Sequence, residues 1–234
     1  MEKQTYFNNT LVSEVSVEEQ ATFFKKTYAN LAIGVLLFIV IESFFLKIPA
    51  LVEFMLSMTE GYLWIVLLLG FMGVNMLSNR LAFHPSSKLI QYTGYVMYIV
   101  VEALIFIPLI YIAIFKSEGY ELINQAAILT LGLFVGLSAV VLLTRINFSF
   151  LKSVLTIGFV LAIALIIAGL IFGFDLGLWF SAAMVFLASG SILYNTYTIK
   201  EKYTPEQFVP AALSLFASLM LLFWYILRIL LSRN

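Results

Sequence analysis

The sequence predicts an all-α integral membrane protein built as a bundle of seven transmembrane helices. Of its 234 residues, 62% are hydrophobic and only 11% are charged, and the mean hydropathy is +1.04. An ordinary soluble domain is about half apolar and about a quarter charged, so a water-soluble monomer is excluded. The apolar residues also fall in long runs without the polar and apolar alternation that strands of a membrane barrel show. The spans are therefore predicted to be helices.

Seven apolar runs are long enough to cross a bilayer, because a hydrocarbon core of about 30 Å needs roughly 20 helical residues. The predicted spans, in order, are residues 27–46, 61–79, 89–115, 122–143, 150–173, 177–199 and 207–230. A polar segment at 1–26 precedes them and a short tail at 231–234 follows. The predicted plan is therefore an amino-terminal segment, a transmembrane domain over 27–230 and a tail, with no room for an extramembrane domain.

Orientation is predicted from lysine and arginine residues, which are retained on the cytoplasmic side of short loops. Four of the 13 basic residues lie on the side of the bundle opposite to the amino terminus; these are Lys47, Lys116, Arg228 and Arg233. The other nine lie in the amino-terminal segment and in the loops after spans two, four and six. The amino terminus is therefore predicted to be cytoplasmic, and an odd number of spans puts the carboxyl terminus outside.

Glu102 is the leading candidate for function, because a charged residue in the middle of a span is costly. Gln91, Tyr95, Tyr98 and Glu102 follow one another at helical spacing in span three, so they share one face that is predicted to point to the bundle interior or a wet cavity. Two interpretations stay open. Glu102 is either an ion-path or pH-sensing group or a neutral structural carboxyl bonded to a tyrosine.

Two further charges lie near the outer end of the first and last spans. Glu42 and Arg228 fall at a similar depth by helical rise, so they form either an interfacial ion pair or two separately solvated charges. In span seven, Ser214, Ser218 and Tyr225 share the face of Arg228. That face is predicted to point inward, and the Leu, Phe, Ile and Trp residues of the other face are predicted to meet lipid.

Small residues are predicted to mark close helix contacts, because lipid offers no hydrophobic drive for helix association. Gly132 and Gly136 in span four are such a pair, and residues 188–195 give span six a small and polar surface. The loop between spans five and six is only residues 174–176. Those two spans are therefore predicted to form a tight antiparallel hairpin.

Several classes of chemistry lack the residues they need. The 13 basic and 13 acidic residues cancel, so no overall field favours nucleic acid, and the single His with no Cys gives too few ligands for a zinc or iron–sulfur site. His84 is that single His and Asp175 is the single Asp, so neither a serine protease nor an aspartyl protease can be assembled. We therefore expect no enzymatic activity and no cofactor, and a metal site stays undefined.

Three motifs in this order resemble the Bax inhibitor-1 family of membrane proteins. They are LTRINF at 143–148, ILYNT at 192–196, and ALSLF at 212–216 continuing to LRI at 227–229. The resemblance implies a calcium leak gated by pH through two aspartates on the last two helices that share a proton. This chain has Asn195 and Ser218 at those positions, and Asn147 where a further Asp is usual, so the resemblance implies an altered proton switch.

Two functions remain open. The first is an ion leak, with calcium as the permeating ion; its candidate residues are Glu102, Tyr98, Tyr95, Asn195, Ser218 and Ser214. The second is a non-conducting protein that restrains another membrane protein, such as a protease. The expected partners are the lipid bilayer, calcium ions or that second protein, and the expected location is a bacterial plasma membrane.

Overall fold

The computed structural model describes residues 10–85, 87–117 and 119–233, and the regular secondary structure in these residues is helical. After a short 3-10 turn at Val12–Glu14, the helices are α1 Val17–Phe45, α2 Pro49–Ser57, α3 Leu63–Ala82, α4 Lys88–Lys116, α5 Glu121–Leu143, α6 Leu151–Phe172, α7 Gly177–Lys202 and α8 Phe208–Arg233. All except α2 are long and apolar enough to cross a membrane. The predicted seven-span helical fold is confirmed. Residues 1–9 of the predicted amino-terminal segment and Asn234 of the tail lie outside the described residues.

Because the spans alternate in direction, successive loops lie at alternate ends of the bundle. The start of α1 and the loops α3–α4, α5–α6 and α7–α8 lie at one end, which we call the amino-terminal end. The loops α4–α5 and α6–α7 lie with α2 and the last turn of α8 at the opposite end. The short α6–α7 connection is the predicted hairpin. Gly173 and Gly177 adopt positive φ angles of 70° and 61° there, which a residue without a Cβ allows at no steric cost.

The first helix begins ten residues before the predicted span. The Ser16 side chain accepts a hydrogen bond from the Glu19 amide at 3.3 Å, and Glu18 also lies in the first turn. Both features favour a helix start, through the capped amide and the helix dipole. At 29 residues, α1 is about 43 Å long and exceeds the hydrocarbon thickness. The predicted boundary at 26/27 therefore marks where the apolar surface starts and falls inside a continuous helix.

A short helix at the opposite end was not predicted. Pro49 occupies the first turn of α2, where its fixed φ and missing N–H suit a helix start. Val52 and Met55 are buried against Ile107 of α4. With nine residues, α2 is about 13 Å long and cannot span the bilayer. Its apolar run is shorter than a membrane span, and residues 47–60 were therefore left between the first two predicted spans.

The last helix is the centre of the bundle. α8 packs against α1, α3, α4, α5 and α7. In the first half of α8, the Phe216 ring makes edge contacts with Phe38, Tyr95 and Tyr98, at centroid distances of 6.0 to 6.4 Å. The prediction that the Leu and Phe residues of α8 face lipid is wrong; Leu213, for example, is buried. Helices surround α8 on nearly all sides, so its apolar residues meet protein.

Glycines make close contacts at a different place from the one predicted. A Cβ on Gly132 or Gly136 would meet nothing within 4 Å, so the predicted contact on α5 is wrong and that face is open. A Cβ on Gly94 of α4 would lie 2.6 Å from the Ser78 carbonyl oxygen of α3. The close backbone approach in this bundle is therefore between α3 and α4. The small surface of α7 does pack, with Ala188 fully buried.

Candidate functional site

Glu102 lies in the bundle interior, in the middle of α4. Gln91, Tyr95, Tyr98 and Glu102 are all buried, as expected for one inward face. The Tyr95 hydroxyl donates a hydrogen bond to the Asn30 carbonyl oxygen of α1 at 3.2 Å. The Tyr98 hydroxyl interacts with the Glu102 carboxyl, whereas the Glu102 Oε2 atom has no hydrogen-bond partner among the described residues. One carboxylate oxygen is thus left without a bonded neighbour deep in the bundle.

Glu102 lies where two cavities adjoin. The first has a volume of about 330 Å³ and extends to Arg228 and Asp175 at the opposite end. The second has a volume of about 560 Å³ and extends along α3, α6, α7 and α8. The side chains that line both cavities are Glu102 and five apolar neighbours, Leu68, Phe71, Ile166, Leu170 and Leu221. The two cavities therefore adjoin at one shared set of side chains, which contains one carboxyl.

The second cavity carries most of the polar groups. Asn75 and Asn79 of α3 line it. The Asn79 side-chain amide donates a hydrogen bond to the backbone carbonyl oxygen of Asn75 at 2.9 Å. The same two residues also line a third cavity of about 450 Å³ that reaches Arg80 near the amino-terminal end. The first two cavities therefore extend from Glu102 toward opposite ends of the bundle, and the third is a groove on the outer side of α3 near the amino-terminal end.

Asn195 and Ser218, which stand where the resemblance expects two aspartates, touch each other. The Asn195 Nδ2 atom donates to the Ser218 Oγ atom at 2.7 Å and to the Ser214 carbonyl oxygen at 3.3 Å. The Ser191 and Ser218 hydroxyl oxygens are 3.0 Å apart. These contacts join α7 to α8 at the wall of the second cavity. None of these side chains carries a charge, so the junction is held by neutral hydrogen bonds.

Ser214 links this junction to the amino-terminal end. Its hydroxyl donates to the Pro210 carbonyl oxygen at 3.0 Å and lies 3.4 Å from the Tyr203 hydroxyl. The Tyr203 carbonyl oxygen in turn accepts a hydrogen bond from the Val12 amide at 2.8 Å. Burial raises the pKa of Tyr203 above its usual value, so the hydroxyl stays protonated and available as a donor at neutral pH.

The structure forms neither of the two arrangements left open for Glu42 and Arg228, an ion pair between them or two separately solvated charges. The Arg228 Nη2 atom lies 4.0 Å from the Asp175 Oδ1 atom in the α6–α7 loop. Both Glu42 carboxylate oxygens are buried, with no hydrogen-bond partner among the described residues, in a different cavity between α1 and α5. Equal depth along two helices does not fix the direction in which each side chain points around the bundle. Arg228 instead contributes to the mouth of the first cavity.

The candidate metal ligands are oxygen atoms. In residues 10–85, 87–117 and 119–233, no three or more His, Asp or Glu residues cluster closely enough to hold a metal ion. The Glu102 carboxyl and the Asn75 and Asn79 side chains line the same cavity. Carboxylate and amide oxygens are the ligands that Ca²⁺ and Mg²⁺ prefer. The cavity therefore offers hard oxygen ligands without a closed cage.

Some residues of the site were not predicted from the sequence. Asn75, Asn79 and Asp175 line the cavities. Asn75 and Asn79 are four residues apart in an apolar span, and this helical spacing was the available signal. Asp175 lies in a loop, and no pattern in the sequence connects it to Arg228.

Comparisons with known proteins agree with this architecture. The family model for "Inhibitor of apoptosis-promoting Bax1" matches residues 20–234. An uncharacterized protein of Neisseria meningitidis is 32% identical over 54% of this chain and 56% of its own length, so the chain spans about half of that relative. Protein lifeguard 4 of Mus musculus is 27% identical over 95% of this chain and 90% of its own. Bax inhibitor 1 of Schizosaccharomyces pombe is 34% identical over 47% of this chain and 42% of its own. The chain, a multi-pass membrane protein with a polar cavity series beside its central helix, belongs to the Bax inhibitor-1 family.

Proposed function

We propose that this protein is a cation leak pathway, with calcium as a permeating ion and no enzymatic activity. The observation that carries the proposal is the position of Glu102 in the wall of two cavities that extend toward opposite ends of the bundle. A cation between them would cross one apolar layer in which a carboxyl offers an oxygen ligand. An acidic side chain at such a depth is a marker of ion and proton pathways. The choice of calcium rests on the family resemblance and on the oxygen ligands.

Arg228 and Asp175 form the mouth of this path at the opposite end. An arginine alone would repel an approaching cation, because like charges raise its energy in the entrance. The Asp175 carboxylate, 4.0 Å from the guanidinium, offsets that charge. We propose that the pair keeps the entrance close to neutral. In our proposal the response to pH is weaker than in the family pattern, because Asn195 and Ser218 do not titrate.

The test is calcium flux into liposomes that contain the purified protein and an internal calcium indicator. Glu102→Gln should lower the flux at least about tenfold, which corresponds to about 1.4 kcal/mol of barrier height. Glu121→Gln is the matched control, because Glu121 is an exposed acid at the start of α5 and should leave the flux unchanged. Equal flux through wild type and Glu102→Gln would remove Glu102 from the path.

A second candidate function rests on a different observation. α3 and α6 both line the second cavity, yet they make at most marginal contact with each other. Exposed apolar residues, including Leu69 and Ile163, lie at the rim of this gap. A helix of another membrane protein, such as a protease, could enter the gap and bond to its polar floor. Under this hypothesis, purified protein in liposomes carries no calcium at any pH.

We also propose a bacterial plasma membrane as the location. The support is the similarity to the Neisseria protein. Fractionation of the native host into inner and outer membranes, followed by detection of the protein, tests this proposal. Recovery in the outer membrane would contradict it.

A further inference from the structure

A second buried carboxyl belongs to a cavity on another side of α8. Glu42 of α1 is 5% exposed. Neither of its carboxylate oxygens has a hydrogen-bond partner among the described residues. A buried charge without a partner is destabilising, and a buried neutral carboxyl without a hydrogen bond also loses stability. The fold thus maintains an unsatisfied acid at a defined place, and the leak pathway proposed above does not use it.

The cavity at Glu42 has the size and the walls of a small-molecule site. Its volume of about 330 Å³ lies in the range of about 300 to 1,000 Å³ that is typical of ligand pockets. Its walls come from α1, α4, α5 and α8 and are mainly apolar, for example Phe38, Ile110 and Phe223. Its polar lining side chains include Thr130 and Asn124. None of the residues that line it lines either of the cavities at Glu102.

The cavity is accessible from the lipid. Ile39 of α1 and Leu131 of α5 line it and are about half exposed, at 51% and 50%. α1 and α5 touch through the rings of Tyr28 and Phe134, closer to the amino-terminal end, and the cavity opens sideways beside Ile39 and Leu131. Glu42 lies three residues before the end of α1, about 5 Å along the helix axis. The acid therefore lies near the membrane interface, and apolar wall continues below it.

We infer that this cavity binds a lipophilic primary amine, with the ammonium group on Glu42 and the alkyl chain against the apolar walls. Charge complementarity selects the head group, because no Lys, Arg or His is among the described residues that line the cavity. An ammonium has three N–H donors. Glu42 and Thr130 can each accept one of them, and the Thr130 Oγ1 atom has no partner among the described residues. An anionic head group would be repelled, and an alcohol would leave the carboxyl without a counter-charge.

The first test compares octylamine with octanol, which has the same chain length without the charge. Binding to the purified protein in detergent is measured by isothermal titration calorimetry. Wild type should bind octylamine at least about tenfold more tightly than octanol, a difference of about 1.4 kcal/mol. Glu42→Gln should abolish this preference. Glu53→Gln should retain it, because Glu53 is an exposed acid on α2 at the same end of the bundle.

A second variant keeps the carboxyl and fills the space. Ala127 of α5 lines the cavity, and Ala127→Phe should abolish octylamine binding while the size-exclusion profile stays that of a monodisperse protein. Octylamine binding that survives in Ala127→Phe overturns the inference. Two calorimetric results also overturn it. One is an equal affinity of wild type and Glu42→Gln for octylamine, and the other is an equal affinity of wild type for octanol and octylamine. Calcium flux through Glu42→Gln should equal that of wild type, which separates this site from the leak pathway.

Discussion

Two uncharged side chains hold α7 and α8 together at the place where the family resemblance expects a pair of acids. The Asn195 amide donates to the Ser218 hydroxyl at 2.7 Å, and Ser191 lies 3.0 Å from the same hydroxyl. Hydrogen bonds between membrane helices contribute about 0.6 kcal/mol on average. This junction therefore has modest strength, and it does not change with pH because none of its members ionises in the ordinary range.

Restoring the acids should make the junction sensitive to pH. In Asn195→Asp with Ser218→Asp, the two carboxylates repel when both are ionised, whereas one shared proton at low pH permits a hydrogen bond. The melting temperature in detergent should therefore fall by at least about 3 °C between pH 5 and pH 8, and the wild type should change less. Each single variant is the control, since a lone acid has no partner to repel. Identical pH profiles for wild type and the double variant would contradict this prediction.

Helical spacing predicted part of the site at residue scale. Gln91, Tyr95, Tyr98 and Glu102 lie inside the bundle as their spacing indicates. Residues at helical spacing share one face of a helix, and this does not depend on the neighbouring helices. Neither arrangement left open for Glu42 and Arg228 forms, because the direction of each side chain depends on how its own helix is rotated in the bundle. No single-helix pattern contains that rotation. Asp175 was missed for the same reason, since its contact crosses from a loop to another helix.

At the scale of elements, hydropathy predicted the number of spans, and capping residues set where helices begin. α1 extends ten residues before its apolar run, from the cap at Ser16, and α2 is too short for a span-length window. The glycines illustrate the limit of motif reasoning. Gly132 and Gly136 have the spacing of a helix contact but face open space, whereas Gly94 has no such motif and lies against the backbone of α3.

Substitution of these glycines should separate the two environments. Gly94→Ala should lower the free energy of unfolding by about 1 to 3 kcal/mol, because the new Cβ would lie 2.6 Å from the Ser78 carbonyl oxygen and must push α3 away. Gly136→Ala is the matched control on an open helix face. It should be neutral or stabilising by about 0.5 to 1 kcal/mol, since alanine favours the helix. Thermal unfolding in detergent measures both, and equal melting temperatures would refute the close approach of α3 and α4.

At the scale of the whole molecule, the sequence predicted seven helices but not their arrangement. α8 is surrounded by α1, α3, α4, α5 and α7, and its side chains are apolar on nearly all faces. A helix that is apolar all round is expected both in the centre of a bundle and in contact with lipid. One face of α8 was predicted to meet lipid, and in the structure that face lies against protein. Composition cannot distinguish these environments, because lipid tails and a protein core are equally apolar.

The orientation of the bundle stays a prediction, and single cysteines test it because the natural chain has none. Ser149 is exposed in the α5–α6 loop at the amino-terminal end, and Ser232 is exposed in the last turn of α8. Ser149→Cys should react with an impermeant maleimide only from the cytoplasmic side, and Ser232→Cys only from the outside. Ser57→Cys, at the end of α2, should behave like Ser232→Cys. Labelling of Ser149→Cys and Ser232→Cys from the same side would contradict the alternating arrangement.

The central position of α8 has a consequence for how the chain is made. Synthesis proceeds from the amino terminus, so the helix that the others surround is the last of the seven spans to leave the ribosome. The six earlier spans enter the bilayer before the partner that completes their packing exists. Contacts among the earlier spans, such as those of α3 with α4, can form first, and the contacts of α1, α3, α4, α5 and α7 with α8 complete the bundle last.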